Sequence, residues 1–257
     1  MTQPFKANGP WNQGLYEISA TAKEVVGTLR IDRFGRKFRY ARAGATALDP
    51  GKQTIAATIN DDWTDNAVAT GGAAVGDFEV TMTVTDVDSD VLPVDYFRGG
   101  QLFVQDGSGE GTWYPIAHSE AIIDGQTSFT VTLSEPLKVA LAASTSYVTP
   151  VPSPWMATVI SATITSPLAT GVPLVTVTAN YYYWSQTGGE GIYWADGDVA
   201  AIGTHLVLGA DDGKLIPKVL NLDGSVDADD TLQTVAYAWG VGTPVDTEYC
   251  PCRYCID

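Results

Sequence analysis

The sequence predicts an all-β protein, and three observations carry that prediction. Glycine and proline, which favour turns, number 26 and 14 in a chain of 257 residues. Residues 78–85 alternate apolar and polar side chains, as a half-buried strand does. Two short apolar runs, 101–105 and 112–117, flank a glycine-rich turn at 106–111, which indicates a hairpin because glycine accepts the positive φ of tight turns.

The elements are expected to fall into three regions. Residues 1–54 hold an extended, polar N-terminal arm and a basic hairpin around Gly35; within this region, 22–30 fits either a strand or a short helix. Residues 55–165 form a β-barrel or sandwich domain that contains the strands above and a further strand at 128–133. Residues 166–257 form a second barrel-like or sandwich-like module with a cysteine-rich tail.

The second module begins after proline-rich connections at 151–155 and 166–173, which mark a boundary. Its strand-like stretches are 174–183, 192–194, 205–208 and 214–219. The first of these stretches continues into the glycine-rich residues 184–191. No apolar run is long enough for a membrane span, and the N-terminal residues contain no continuous apolar segment, so neither a membrane partner nor a secretion signal is expected.

Charge is distributed unevenly along the chain, whose net charge is −16. Residues 1–52 carry nine basic and four acidic residues, a net charge of +5, whereas the other 205 residues carry five basic and 26 acidic residues, a net charge of −21. This asymmetry predicts a basic docking surface on an acidic body, and the acidic body argues against a nucleic-acid partner. The predicted docking residues are Arg30, Arg33, Arg36, Lys37, Arg39 and Arg42.

Catalytic patterns are scarce in the sequence. The two histidines, His118 and His205, stand at the edges of apolar strands, where a structural role is expected. No serine lies in a Gly-x-Ser-x-Gly elbow, and no phosphate-binding loop occurs. The 30 acidic residues offer many carboxylate pairs, so glycoside cleavage stays an alternative. We expect no enzymatic activity, no catalytic residue and no cofactor.

Two kinds of candidate metal ligand stay open. Cys250, Cys252 and Cys255 are expected to lie on an exposed tail, as free thiols or as cross-links between neighbours; the alternative is a metal site completed by a histidine or by another subunit. The acidic runs 86–90 and 223–230 offer oxygen ligands for Ca²⁺, although neither has a complete calcium-binding loop, and solvated turns are expected instead.

Aromatic residues cluster in the second module and predict an oligomer interface, because aromatic side chains dominate interface cores. Since neighbouring residues of a strand point to opposite faces, one face is expected to pack on the core and the other on a second subunit. Sugar-stacking platforms are the alternative interpretation of these aromatics, together with Trp239 in the same module and Trp113 in the region 55–165. The predicted interface residues are Tyr181, Tyr182, Tyr183, Trp184, Tyr193 and Trp194.

Three patches of the sequence together resemble a group of tailed-phage virion proteins of the head-decoration type. The first is Gly-Gly-x-Leu-x-Val-x-Asp-Gly-x-Gly-x-Gly at 99–111, followed by Tyr-x-Ile at 114–116 and Leu-x-x-Pro-Leu-Lys-Val-Ala-Leu at 133–141. The second is the run 38–52, which ends in Pro-Gly-Lys. The third comprises 186–189, 196–204 and 206–215, and is similar to a small barrel of phage head-associated proteins.

The resemblance implies a structural virion protein on the capsid exterior. Its partner would be the major capsid protein, its assembly a homotrimer, and its role to stabilise the capsid as a cement protein that binds across several capsid subunits. The alternatives are a tail or head-fibre component, and a carbohydrate-binding or carbohydrate-degrading module that recognises a host-surface glycan.

Overall fold

The chain forms two compact units. The structure, a computed structural model, describes residues 10–59, 63–84, 91–162, 168–196, 201–209, 212–218, 232–240 and 248–257. Thr58–Ser153 forms one unit, which we call the inserted unit, and Pro4–Ala57 with Pro154–Asp257 forms the other, the split unit. In the described residues the strand ladders are antiparallel and no α-helix occurs, so the all-β prediction is confirmed.

The inserted unit is a six-stranded, nearly closed barrel. Its strands are β4 (Asn66–Ala67), β5 (Glu79–Thr83), β6 (Gln101–Asp106), β7 (Trp113–Ser119), β8 (Ser128–Leu133) and β9 (Tyr147–Val151). They pair in the order β4-β9-β6-β7-β8-β5. A bridge between Val68 and Met82 brings the two ends of this path together. The predicted strand at 128–133 and the predicted hairpin across 106–111 are both confirmed.

The core of the inserted unit follows the alternation seen in the sequence. Val80, Met82 and Val84 point inward with Phe129 and Val131 of the neighbouring strand, and all five are buried. Phe78 was expected on the same face but is exposed, because the strand begins only at Glu79.

The split unit is a ten-stranded sheet built from both ends of the described chain. Its strands are β1 (Leu29–Ile31), β2 (Lys37–Arg42), β3 (Thr54–Ile55), β10 (Val159–Ile160), β11 (Ala169–Pro173), β12 (Tyr182–Trp194), β13 (His205–Leu208), β14 (Leu215–Pro217), β15 (Ala236–Ala238) and β16 (Tyr249–Cys255). The main path is β10-β3-β11-β12-β16-β15-β13-β14, and β2 joins β1 to β12.

The N-terminal region differs from the predicted segment of 1–54. Strand β2 pairs along the first half of β12, with Tyr40 opposite Trp184, so these residues are part of the same sheet as the C-terminal module. Residues 22–28 form turns and bends rather than a strand or a helix, and β1 begins at Leu29. The physical reason is that the apolar residues of β2, Phe38 and Tyr40, are fully buried only against this distant strand.

Strand β12 also departs from the prediction. The glycine-rich residues 184–191 and the stretch 192–194 form one 13-residue strand with Tyr182 and Tyr183. Its glycines serve close packing, since a Cβ at Gly191 would lie 2.9 Å from the Tyr254 ring and one at Gly188 would lie 3.1 Å from the Lys37 side chain. The predicted strand at 174–183 is mostly a connection, in which Asn180 adopts a φ of +65°.

The cysteine-rich segment is not an exposed tail, which corrects the sequence-based expectation. It forms β16, which pairs with β12 on one side and β15 on the other. Alternation along the strand points Cys252 and Tyr254 into the core of the split unit. The described part of the chain contains no helix that is long and apolar enough to cross a membrane.

Candidate functional site

The tip of the β1–β2 hairpin is held in shape by one carboxylate. Asp32 Oδ1 accepts hydrogen bonds from the backbone N–H groups of Phe34 and Arg36 at 2.9 and 3.0 Å, and Asp32 Oδ2 accepts one from Arg36 Nε at 2.8 Å. Burial acts to raise the pKa of the Asp32 carboxyl, but these hydrogen bonds outweigh it and lower the pKa. Gly35 supplies the positive φ of +80° that the turn requires. The tip is therefore preorganised.

The same tip exposes apolar surface beside a positive charge. The Phe34 side chain is 68% exposed, and Ile31, the last residue of β1, is also exposed. The guanidinium of Arg33 lies 4.7 Å from the centre of the Phe34 ring, a cation–π distance. Aromatic residues, phenylalanine among them, and arginine are both enriched in protein–protein interfaces.

The other predicted docking cations contact groups within the split unit. Arg30 lies between two indole rings, and Arg42 donates to the Asn180 side chain at 3.0 Å. Arg36 is paired with Asp32, and Lys37 and Arg39 both contact Asp257. Of the six predicted residues, Arg33 is exposed and the other five are half-buried.

Asp257 is the acidic partner of the basic hairpin. Arg39 Nε and Nη2 donate to its two carboxylate oxygens at 2.7 and 3.1 Å, and Thr187 Oγ1 donates to Oδ2 at 2.9 Å. Lys37 Nζ donates to its main-chain oxygen at 3.0 Å. Burial raises the pKa of this carboxyl, but the Arg39 hydrogen bonds and charge outweigh the burial, and the net shift is downward.

Acidification is therefore expected to weaken the split unit through Asp257. A carboxyl whose pKa is lowered by folding contributes stability above its unfolded pKa of about 3.9, and the contribution is lost as pH falls through the folded pKa. Asp257→Asn should lower the free energy of unfolding by about 1–3 kcal/mol at pH 7 and should reduce its slope between about pH 5 and pH 2. Urea unfolding at a series of pH values measures both quantities.

Glu135→Gln is the matched control, because Glu135 forms an exposed ion pair with Lys138 at 3.7 Å in the inserted unit. That variant should change stability by less than about 1 kcal/mol. An Asp257→Asn protein as stable as the wild type at pH 7, with an unchanged pH slope, would contradict the anchoring role.

A buried cluster around Gln13 fastens the N-terminal segment to the sheet. Gln13 Nε2 donates to the Tyr182 carbonyl at 3.0 Å, and Tyr40 Oη donates to Gln13 Oε1 at 2.6 Å. The Gln13 carbonyl accepts from Trp184 Nε1 at 3.1 Å and from an Arg30 Nη1 at 3.0 Å. We call these five residues the Gln13 cluster.

The rings of the Gln13 cluster pack tightly. The Trp184 ring lies 5.1 Å from the Trp11 ring and 5.1 Å from the Tyr40 ring, both edge to face. Arg30 Cζ lies 5.2 Å from the Trp11 ring and 5.3 Å from the Trp184 ring. Residues of the same chain therefore cover the Trp184 face of β12, whereas one of the two aromatic faces was expected to pack on a second subunit.

The six predicted interface residues thus divide by burial. Trp184, Tyr183 and Tyr193 are buried within the split unit, so their side chains cannot form the surface of an oligomer interface. Tyr181, Tyr182 and Trp194 are half-buried. Tyr182 stacks on Tyr40 with ring centres 5.9 Å apart, and Trp194 lies against Tyr249 at 4.6 Å.

The cysteines of β16 are poorly suited to thiolate chemistry. Burial raises the pKa of the Cys252 thiol to about 12, and it also raises the pKa values of Cys250 and Cys255. In the described part of the chain, no group of three or more His, Cys, Asp or Glu side chains is arranged to hold a metal ion. The acidic runs 86–90 and 223–230 lie outside the described residues.

Both histidines are at the surface of their units. His118 Nδ1 lies 2.5 Å from Asp95 Oδ1, and the Asp95 backbone has a positive φ of 65°. His205 Nδ1 lies 3.3 Å from Thr234 Oγ1, and its ring packs edge to face on Tyr237.

Three important residues were not identified from the sequence, namely Gln13, Phe34 as a surface anchor, and Asp257. Gln13 contacts partners up to 171 residues away, and Asp257 contacts one 218 residues away, so no local pattern marks either. The Asp-x-x-Gly-Arg spacing of 32–36 is the signal that would have identified an exposed turn with Phe34 at its tip.

Comparison with known proteins adds no relative. No family model, curated protein or solved structure matches this chain.

Proposed function

We propose that this chain is a structural protein of a tailed-phage head, which decorates the capsid exterior and stabilises it by binding across capsid subunits. The resemblance of three ordered patches to phage head-decoration proteins supports this role. The partner is then the major capsid protein. The chemistry is non-covalent surface burial, without catalysis or a cofactor, and the assembly proposed on the same resemblance is a homotrimer.

The observation that carries the proposal is the rigid, exposed tip of the basic hairpin. Phe34 and Arg33 stand at the surface on a turn that Asp32 already holds in shape. A preorganised anchor binds more tightly because little conformational freedom is lost on docking. Repetition of one such anchor on a symmetric lattice adds avidity, so that a modest single contact suffices.

The distribution of charge determines which part of the chain can approach an acidic surface. The segment 1–52 has a net charge of +5 on a chain whose remaining residues total −21, so the acidic body opposes approach to an acidic surface except through this segment. Because Arg36 and Arg39 already pair with Asp32 and Asp257, the charge offered to a partner is concentrated at Arg33. An acidic, partly apolar depression at a junction of capsid subunits fits this tip.

The double substitution Arg33→Ser with Phe34→Ser is expected to weaken attachment to undecorated heads by about tenfold or more. Both side chains are exposed, so the hairpin should keep its fold, as a near-UV circular dichroism spectrum would check. Binding is measured by co-sedimentation of purified protein with heads that lack it, over a salt series. Wild-type affinity should fall as salt rises, because the Debye length shortens from about 10 Å at 0.1 M to about 3 Å at 1 M.

Phe78→Ser is the matched control, because Phe78 is an exposed phenylalanine on the inserted unit. It should leave attachment unchanged. A double variant that occupies heads as well as the wild type at every salt concentration would rule out the hairpin as the docking element. A wild-type protein that does not bind such heads at all would overturn the proposed role itself.

A further inference from the structure

A concave cleft on the outer face of β15 and β16 is not used by the proposed docking hairpin. It has a volume of about 480 Å³ and is lined by Tyr237, Trp239, Arg253 and a turn that carries Ile202. This volume falls within the range of about 300–1,000 Å³ that small-molecule sites occupy.

The floor of the cleft is aromatic and exposed. Tyr237, on β15, is 36% exposed, and Trp239, the residue that follows the end of β15, is 47% exposed. Ile202 is exposed beside them. Solvent-exposed indole and phenol rings on one face form a flat apolar platform with polar edges.

Backbone contacts hold this platform rigidly. The Trp239 N–H donates to the Pro251 carbonyl at 3.1 Å, and the Gly203 N–H donates to the Ala238 carbonyl at 2.8 Å, which fixes the turn that carries Ile202 against β15. The Tyr237 ring packs edge to face on His205, with ring centres 4.8 Å apart. The backbone of the platform and the Tyr237 ring are therefore held in place before a ligand binds, which lowers the cost of binding.

Polar side chains with planar or ring-shaped groups form a row across the platform. Tyr237 stands opposite His205 on one side and opposite Arg253 on the other, and Arg253 stands opposite Glu190 on β12. All four positions lie on the exposed face of the sheet. The row offers guanidinium and phenol donors beside a carboxylate acceptor, spaced by the distance between neighbouring strands.

We propose that this cleft binds a short, uncharged saccharide. A pyranose ring presents an apolar C–H face that stacks on an aromatic ring, and its equatorial hydroxyls reach planar polar groups at the ring edge. Trp239 and Tyr237 supply the first kind of contact. Arg253, in the cleft lining, supplies the second, together with Glu190, which stands opposite Arg253 on the neighbouring strand just outside that lining. The alternative stacking ligand, a nucleic-acid base, carries a phosphate that a chain of net charge −16 repels.

The test is titration of the full-length protein with neutral oligosaccharides. The probes are maltohexaose, cellohexaose, N-acetylchitohexaose and a β-1,4-mannan hexasaccharide, followed by isothermal calorimetry. We expect at least one probe to bind, and we expect Trp239→Ala to weaken that binding by about tenfold or more, since about 1.4 kcal/mol of lost stacking corresponds to tenfold. Glu190→Gln should weaken it less.

Trp113→Ala is the matched control, because Trp113 is a 57% exposed tryptophan on β7 of the inserted unit. It should leave saccharide affinity unchanged. A second readout needs no variant: in ¹⁵N-labelled wild-type protein the indole N–H signal of Trp239 should shift with the binding saccharide. Absence of binding to every probe, or an equal loss in the Trp113 and Trp239 variants, would overturn the proposal.

The saccharide test is independent of the capsid role, because it uses purified protein without heads. If the protein docks on heads but binds no saccharide, only the proposal of saccharide binding in the cleft is refuted. If it binds a saccharide but does not dock on heads, only the proposed capsid role is refuted.

Discussion

Replacing Trp184 with alanine is expected to lower the free energy of unfolding of the split unit by about 3–5 kcal/mol, the cost of removing a large buried aromatic side chain. Trp184 is 1% exposed, packs on Trp11 and Tyr40, and donates its indole N–H to the Gln13 carbonyl. Its loss opens a cavity and leaves that carbonyl with one donor fewer. Chemical denaturation followed by circular dichroism measures the loss.

Trp113→Ala is the control for the loss of one tryptophan, because it removes an exposed indole. It should lower the free energy of unfolding by less than about 1 kcal/mol. The same experiment at several protein concentrations separates packing within one chain from packing between chains. If Trp184 acts through the Gln13 cluster, the loss is the same at every concentration. A loss that disappears at high concentration would place the side chain in an oligomer interface and contradict the packing described above.

Gly107→Ala is expected to destabilise the inserted unit by about 2–5 kcal/mol. Gly107 has a φ of +78°, and a Cβ there would collide with the carbonyl oxygen of Thr145. Both the positive φ and the collision with rigid backbone oppose a side chain. Thermal unfolding of the variant measures the effect.

Gly111 is the matched control in the same turn. Its φ is +79°, but a Cβ there would meet no atom within 4 Å. Gly111→Ala should therefore cost only the backbone term of about 1–2 kcal/mol. Equal destabilisation by the two variants would show that positive φ alone, and not the approach of Thr145, restricts the turn.

The sequence predicts the inserted unit better than the split unit, for a physical reason. Strand β8 and its neighbour β5 pair within about 50 residues and alternate cleanly, so period-two patterning together with turn glycines specifies them. The hairpin of β6 and β7 is equally local. Local alternation and turn chemistry suffice where a strand pairs with a neighbour in sequence.

The split unit depends on pairings that no local pattern encodes. The residues 250–255, with three cysteines and a proline, give no clean alternation, yet they form an internal strand because β12 and β15 flank them. The aromatic run 181–184 was expected to pack one of its faces on a neighbouring subunit, but Trp11 of the same chain packs on Trp184, and the position of Trp11 follows only from the tertiary fold. The basic hairpin was placed correctly as a hairpin, and the roles of its cations were set by Asp257.

The long separation between β2 and its partner β12 has a consequence for synthesis on the ribosome. Gln13 can bond to Trp184 only after the 171 further residues up to Trp184 have been synthesised. At about 5–20 residues per second, their synthesis takes about 10–30 s. During that interval β2 can pair with β1 but lacks β12, on its other side, while the whole of Thr58–Ser153 emerges and can complete its own barrel. Translation order thus makes the interior segment the first to mature, and the nascent N-terminal strands are the part of the chain most exposed to aggregation or chaperone capture.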